Sequence, residues 1–360
     1  MSPGHFLAKR HGVEDYLAVT DASPEGFIYV ETDRYLPSPK PIIEKGDSEQ
    51  EIRRKIEEWT KQPLEEIKFL RRIVEGKSLE GDGVDEGQGE LLKGVVLYAP
   101  FHIHPVHFST YLKLAEDVAG PKLWARVVGF RYLLQGKGEG VVESMLKDIR
   151  GVWWISNFCE LRKGNRGKGW CFDVGVDTHR DGLGPFEAVM RLIERARERE
   201  GNSEVEERPV KFVLSKWHLG SISENVETNT YADHLGKPNL SQQPEERWLK
   251  GMVALGEDKN VYIKLSGAFN EFDEATPADV PTLLKSLTPF LEHVFKCFPN
   301  RVMFGSDWPV CNAGGPKGEA VNWSLWRQVV QEWMVQCHFD VDAWESVWWG
   351  AGCEAYGVKI

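Results

Sequence analysis

The sharpest chemical segment is residues 301–310 (RVMFGSDWPV). A short apolar run ends in Gly-Ser-Asp, and Trp-Pro then stops it, which sets Asp307 at the mouth of a strand. A carboxylate there can serve as a general base or simply cap the next helix, and taken alone the two readings weigh equally. A second segment, residues 233–238 (DHLGKP), places His234 on a tight turn. An isolated loop histidine is more often a plain surface residue. Together, however, His234 and Asp307 can ligate a divalent metal or activate water. Two ligands are a weak metal signal, because a catalytic zinc usually takes three. The H-x-H in residues 101–105 (FHIHP) is tempting, since alternate strand residues share a face. Pro100 and Pro105 put His102 and His104 beyond the strand end, so the pair reads as a decoy. Arg131 interrupts an apolar run (GFRYLL). A buried guanidinium needs an anion, which is either a ligand or an internal partner such as Glu31, Asp33 or Asp173. Lys264 in IKLSG follows the same logic, and Glu31 and Trp308 complete the candidate substrate contacts.

These residues must be held by something, and the apolar pattern says what. Buried-strand runs occur at residues 26–33, 94–100, 125–134, 170–177, 210–214, 261–266 and 302–306. Helical spacing marks residues 48–75, 107–118, 185–199, 281–297 and, in a tryptophan-rich tail, about 323–355. Residues 75–89 are rich in Gly, Asp and Glu and read as a solvated loop, a flexible connection as far as 92. Continuous apolar strands alternating with helices imply a parallel sheet buried on both faces. No G-x-G-x-x-G follows the first run and no P-loop occurs, so a nucleotide-binding sheet has no support. Polar residues instead end the strands: Glu31, Asp33, Arg131, Asp173, Asp177, Lys264 and Asp307. That is where a (β/α)8 barrel keeps its chemistry. The count of seven strands is one short of eight.

The bulk numbers fit one large soluble domain. The 360 residues are 41% hydrophobic and 28% charged, enough for one barrel with insertions. A net charge of −11 argues against nucleic acid or an anionic membrane as the main partner. The six cysteines are scattered with no C-x-x-C, which reads as reduced thiols in a cytoplasmic protein. No apolar run reaches the length of a membrane span.

In this order, GFRYLLQ, FDVGVD, DHLGKP, VYIKLSG and RVMFGSDWPV resemble the amidohydrolase-related (amidohydrolase 2) lactonase family. That family includes lactonases for rhamnono-, fucono- and 2-pyrone-4,6-dicarboxylate rings. HGVEDYL near the start and GAGCEAYGV at the end also look like family segments, so the resemblance covers nearly the whole chain. It implies an α/β fold, a TIM barrel of the metal-dependent hydrolase type, formed by residues 1–360 as one domain. It implies that Asp307 activates water, that His234 is a site histidine and that Arg131 contacts the substrate. It implies a divalent metal, zinc for choice, held by His234 and Asp307, although some lactonases of the group work without one. The implied partner is a small sugar lactone, opened to its acid by activated-water attack. The oligomeric state is not legible.

Two departures stand out. The family opens with a D-S-H-x-H on its first strand, and this sequence has none, so it reads as lacking that strand. The family strand also runs straight into its histidine motif, whereas here residues 215–233 intervene as a polar, irregular insert. The insert reads as a retained intron: Ser215-Lys216-Trp217 can be encoded with a GTAAGT donor and Ala232-Asp233 with a CAG acceptor, and excision would join FVL to NHLGKP in frame. The rivals to lactone hydrolysis are a related decarboxylase, which would release CO2, and an inactive chain or pseudoenzyme that only binds sugar acids.

Overall fold

A computed structural model of the chain describes residues 9–21, 23–137, 140–202, 208–215, 238–273 and 275–359. Seven parallel strands form one sheet in sequence order: β1 (Phe27–Val30), β2 (Leu92–Tyr98), β3 (Val127–Arg131), β4 (Cys171–Gly175), β5 (Phe212–Ser215), β6 (Val261–Leu265) and β7 (Val302–Phe304). Each coincides with one of the apolar runs. The strands are shorter than the runs because residues such as Tyr132–Leu134 stay buried after leaving the ladder.

Among the described residues β1 and β7 are the two ends of the ladder. The short helix α1 (Val13–Val19) reaches across these ends. Its Tyr16 ring lies 5.7 Å from Phe27 of β1 and 5.4 Å from Trp308 beyond β7.

Successive strand residues face opposite sides. On the outer side Phe130, Phe172, Phe212, Ile263 and Val302 join a core shared with the helices. On the inner side Val96, Val128, Cys171, Val213, Tyr262 and Met303 form a second core. That core is sealed from below by the last helix of the fold, supplying Ala351, Ala355 and Tyr356. Lys168 donates to the Gly357 carbonyl at 2.9 Å and Asn165 to that of Tyr356 at 3.4 Å. Lys211, just before β5, donates to the Glu354 carbonyl. These anchors precede β4 and β5, so the plug closes the N-terminal end of the sheet and leaves the C-terminal mouth for chemistry.

The outer layer is helical. The expected helix over 48–75 is two, α2 (Glu49–Trp59) and α3 (Lys61–Glu75), broken at Thr60, whose hydroxyl turns back to the Ile56 carbonyl at 2.7 Å. Ser48 and Glu51 form a capping box at the start of α2, and Gly76 ends α3 at φ 67°. Residues between Glu75 and Leu92 are turn-rich and tied down, with Asp82 bridging to Arg72 at 2.8 Å. The remaining helices are α4 (Pro105–Trp124), α5 (Val141–Met145), α6 (Asp148–Lys163), α7 (Leu183–Gly201), α8 (Glu246–Glu257), α9 (Val280–Cys297), α10 (Val310–Gly314), α11 (Asn322–Gln336), α12 (Val341–Glu345) and α13 (Ala351–Tyr356), which is the plug. None of them is long and apolar enough to cross a membrane. The expected insert falls almost wholly in residues 216–237, outside the described residues.

The closeness of β3 to β4 depends on Gly129. A Cβ there would clash with the Cys171 side chain and lie 2.7 Å from the Cys171 carbonyl oxygen. We expect Gly129→Ala to destabilise the fold by about 1–3 kcal/mol, read as a lower urea midpoint. An unchanged midpoint would mean that the two strands part freely.

Candidate active site

Four of the charged residues singled out from the strand ends, Glu31, Arg131, Asp173 and Lys264, lie on the inner side of the sheet and neutralise one another in two pairs. Arg131 ends β3, in register between Tyr98 of β2 and Asp173 of β4. Its Nε donates to Glu31 Oε1 at 2.6 Å, and a second guanidinium nitrogen donates to the Glu31 carbonyl. Both side chains are 1% exposed. Lys264 of β6 donates from Nζ to Asp173 Oδ2 at 2.6 Å, and the Tyr356 hydroxyl donates to the same oxygen at 2.8 Å. Burial and the neighbouring Asp173 hold the Tyr356 phenol well above its usual range, so it stays a donor. The internal salt bridge allowed for Arg131 is therefore the arrangement found, and Lys264 has the same kind of partner. Each pair skips one strand, Glu31 to Arg131 over β2 and Asp173 to Lys264 over β5. Side chains can span that interval only if the sheet curls around them.

Asp307 sits three residues beyond β7. The turn is set by backbone: Gly305 N–H donates to the Leu265 carbonyl at 2.9 Å, and Trp326 Nε1 donates to the Gly305 carbonyl at 3.1 Å. Asp307 itself takes φ 51°, a left-handed conformation that an Asp tolerates better than most residues, and a cis Trp308–Pro309 bond follows. Its side chain is half-buried. The Trp308 ring meets His11 edge-on at 5.5 Å as well as Tyr16. Part of its surface is thus spent on packing against the segment around α1.

The H-x-H does not act as a pair. His102 donates from Nε2 to the Pro39 carbonyl at 2.6 Å, while His104 caps α4, its Nδ1 accepting from Val106 N–H at 3.3 Å. His234 lies outside the described residues.

A second polar cluster was not anticipated. After β4, His179 bridges Glu271 and Asp273 at 3.1 Å each, and Arg180 reaches Asp177 at 3.3 Å. The Glu271 hydrogen bond, above all, raises the His179 pKa. This cluster ties the β4 mouth to the β6 mouth. Its one signal in the sequence was Asp177 at a strand end. Tyr356 gave none.

Among the described residues, no group of three or more His, Cys, Asp or Glu side chains could hold a metal ion; His234, the other ligand expected beside Asp307, lies outside them. Of the inner carboxylates, Glu31 is bonded to Arg131, and Asp173 to Lys264 and Tyr356.

Burial, with Asp33 and Glu66 close by, pushes the Glu31 carboxyl up to about 7 against the pull of Arg131. The folded value lies above the ordinary glutamate value of 4.5. The contribution of this group to stability is thus fully present below pH ~4.5 and is lost as pH rises through ~7. We expect wild-type stability to fall between pH 4.5 and 7 more than that of Glu31→Gln, by on the order of 3 kcal/mol, in urea titrations. Equal slopes would place the Glu31 pKa near its ordinary value.

Comparison with known proteins bears on the family and the fold. The chain is 24% identical over 307 residues to the L-rhamnono-gamma-lactonase of Scheffersomyces stipitis, covering 82% of this chain and 78% of that protein. It is 32% identical over 130 residues to the L-fucono-1,5-lactonase of Burkholderia ambifaria, covering 35% of this chain and 40% of that protein. An amidohydrolase from Burkholderia multivorans, solved with bound HEPES, superposes with a TM-score of 0.51 at 20% identity over 75% of each chain. The chain therefore has an amidohydrolase-type barrel fold, and its residues 227–334 match the amidohydrolase family (Amidohydro_2).

Proposed function

We propose that the chain is a hydrolase that opens a sugar-derived lactone to its hydroxy acid. The reading is carried by the similarity to an L-rhamnono-gamma-lactonase, which runs through 82% of the chain. The mouth of the sheet is compatible with that chemistry. Asp307, at the end of β7, accepts a proton from water as the water oxygen adds to the lactone carbonyl carbon. The ring C–O bond then breaks, and Asp307 returns the proton to the departing ring oxygen. Water is consumed and one hydroxy acid is formed.

Arg131 and Lys264 supply positive charge beneath the developing oxyanion, with Glu31 and Asp173 fixing their orientation. Glu31 is in this reading an anchor for Arg131 rather than a direct substrate contact. Trp308 offers an aromatic wall beside Asp307, and His234 is assigned to oxyanion stabilisation. No step needs a metal bound by the described residues. Among sugar lactones, the rings named for the relatives, L-rhamnono-γ-lactone and L-fucono-1,5-lactone, are the first to try.

The test is hydrolysis of these two lactones by the purified chain, followed as acid release with a pH indicator. Asp307→Asn should lower kcat by about 10²–10⁴-fold while the far-UV spectrum stays that of the wild type. Wild-type inactivity on both rings, or an Asp307→Asn enzyme as fast as wild type, would sink the reading.

A further inference from the structure

At the C-terminal ends of β2 and β3 lie two buried polar atoms that the ion pairs do not use. Tyr98, the last residue of β2, is 5% exposed, and its hydroxyl has no hydrogen-bond partner among the described residues. His102 lies four residues on. Its Nε2 faces the Pro39 carbonyl, which can only accept, so that nitrogen carries the proton. Nδ1 is then a bare acceptor, buried and likewise without a partner among the described residues. Burial lowers the His102 pKa to about 4, which keeps the ring neutral near pH 7. Both rings flank Tyr132, with centroids 6.1 Å away for Tyr98 and 4.7 Å for His102. The Lys137 ammonium stands 5.3 Å from the Tyr132 centroid.

Leaving a buried hydroxyl and a buried ring nitrogen unmatched costs folding free energy, and native structures keep few such groups. Here two occur around one aromatic ring, at the end of the sheet that carries Asp307. We infer that Tyr98, His102 and Tyr132 form a hydroxyl-recognition subsite for the polyhydroxylated part of the substrate. Tyr98 Oη can both donate and accept, His102 Nδ1 accepts from a second hydroxyl, and the Tyr132 ring supplies an apolar surface for ring carbons. The chemistry selects a neutral polyol over a carboxylate. His102 offers a lone pair rather than a proton, and the Tyr98 pKa is raised by burial first, then by Tyr132 and Tyr111 and by the nearby Glu31 and Asp33 carboxylates. Of the nearby cations, Arg131 is paired with Glu31, while Lys137 stands over the Tyr132 ring and lowers the Asp33 pKa against the effect of burial. The subsite therefore favours sugar lactones over dicarboxylate ones. This assignment rests on the lactonase reading for its substrate but not for its geometry.

The experiment compares L-rhamnono-γ-lactone with unsubstituted γ-butyrolactone in wild type and Tyr98→Phe, with thermal melts of both proteins. We expect Tyr98→Phe to reduce the ratio of kcat/KM for the hydroxylated over the plain lactone by about tenfold, chiefly through KM. The Tm should hold or rise, because the variant removes a buried hydroxyl with no partner among the described residues. An unchanged ratio overturns the subsite, and so does a lower Tm with both lactones slowed alike, since the hydroxyl would then be structural. If wild type hydrolyses neither lactone, the lactonase reading fails separately. The subsite is then read by ¹⁵N-histidine NMR with the neutral alditol L-rhamnitol. A shift of the His102 Nδ1 resonance that weakens in Tyr98→Phe upholds it, and no shift overturns it.

Discussion

A sheet covered on both faces leaves its inner charges no bulk water to face, and the remainder of the architecture follows from how those charges are matched. Glu31 with Arg131, and Asp173 with Lys264 and Tyr356, place two compact ion pairs directly above the apolar layer of Val96, Val128, Cys171, Val213, Tyr262 and Met303. Losing one member of such a pair is far more damaging than the pair is stabilising, because the remaining charge stays buried. The pairs also set geometry. Each spans a skipped strand, so they resist both flattening of the sheet and slippage of the strand between. A one-residue slip would turn the charged residues outward into the helical layer. The positive groups proposed to face the substrate are thus held by the same contacts that give the sheet its curl.

The layers below and above divide the labour. The α13 plug closes the bottom with backbone carbonyls that accept from Lys168, Lys211 and Asn165, so no charged group of the plug has to enter the apolar layer. The mouth carries the irregular backbone: the left-handed Asp33 and Asp307, the His102 carbonyl contact and the His179 bridge between β4 and β6. Irregular, polar backbone above a regular interior is what lets one scaffold vary its chemistry.

All seven strands were legible in the sequence because strands buried on both faces read as unbroken apolar runs. The helices were less so. The break at Thr60 follows from a hydroxyl that turns back on the helix, a local event that apolar spacing does not encode. Helix α6 carries the buried Trp154, Phe158 and Leu161 together with the buried polar Asn157 and Arg162, so its periodicity is blurred. At the site, an odd charge inside an apolar run foretold that Arg131 and Lys264 would need anions, and Glu31 and Asp173 were in view as strand-end carboxylates. Pairing Lys264 with Asp173 needed the curl of the sheet, which no spacing reveals. Tyr356 was invisible as a partner, and the Tyr98–His102 pair was hidden because its character lies in contacts that are not made.

The link between Tyr356 and Asp173 joins residues 183 positions apart in the chain. During synthesis β4 emerges long before α13, so its central carboxylate must wait for both Lys264 and the last residues of the fold. Until then the inner layer lacks its floor and half of its charge matching. Completion of the inner layer therefore depends on a contact between residues far apart in sequence. Such long-range closure is slow relative to local helix formation. In a chain of this design the inner apolar layer is uncovered until α13 docks, and exposed apolar surface of that kind is what makes partly folded states aggregation-prone.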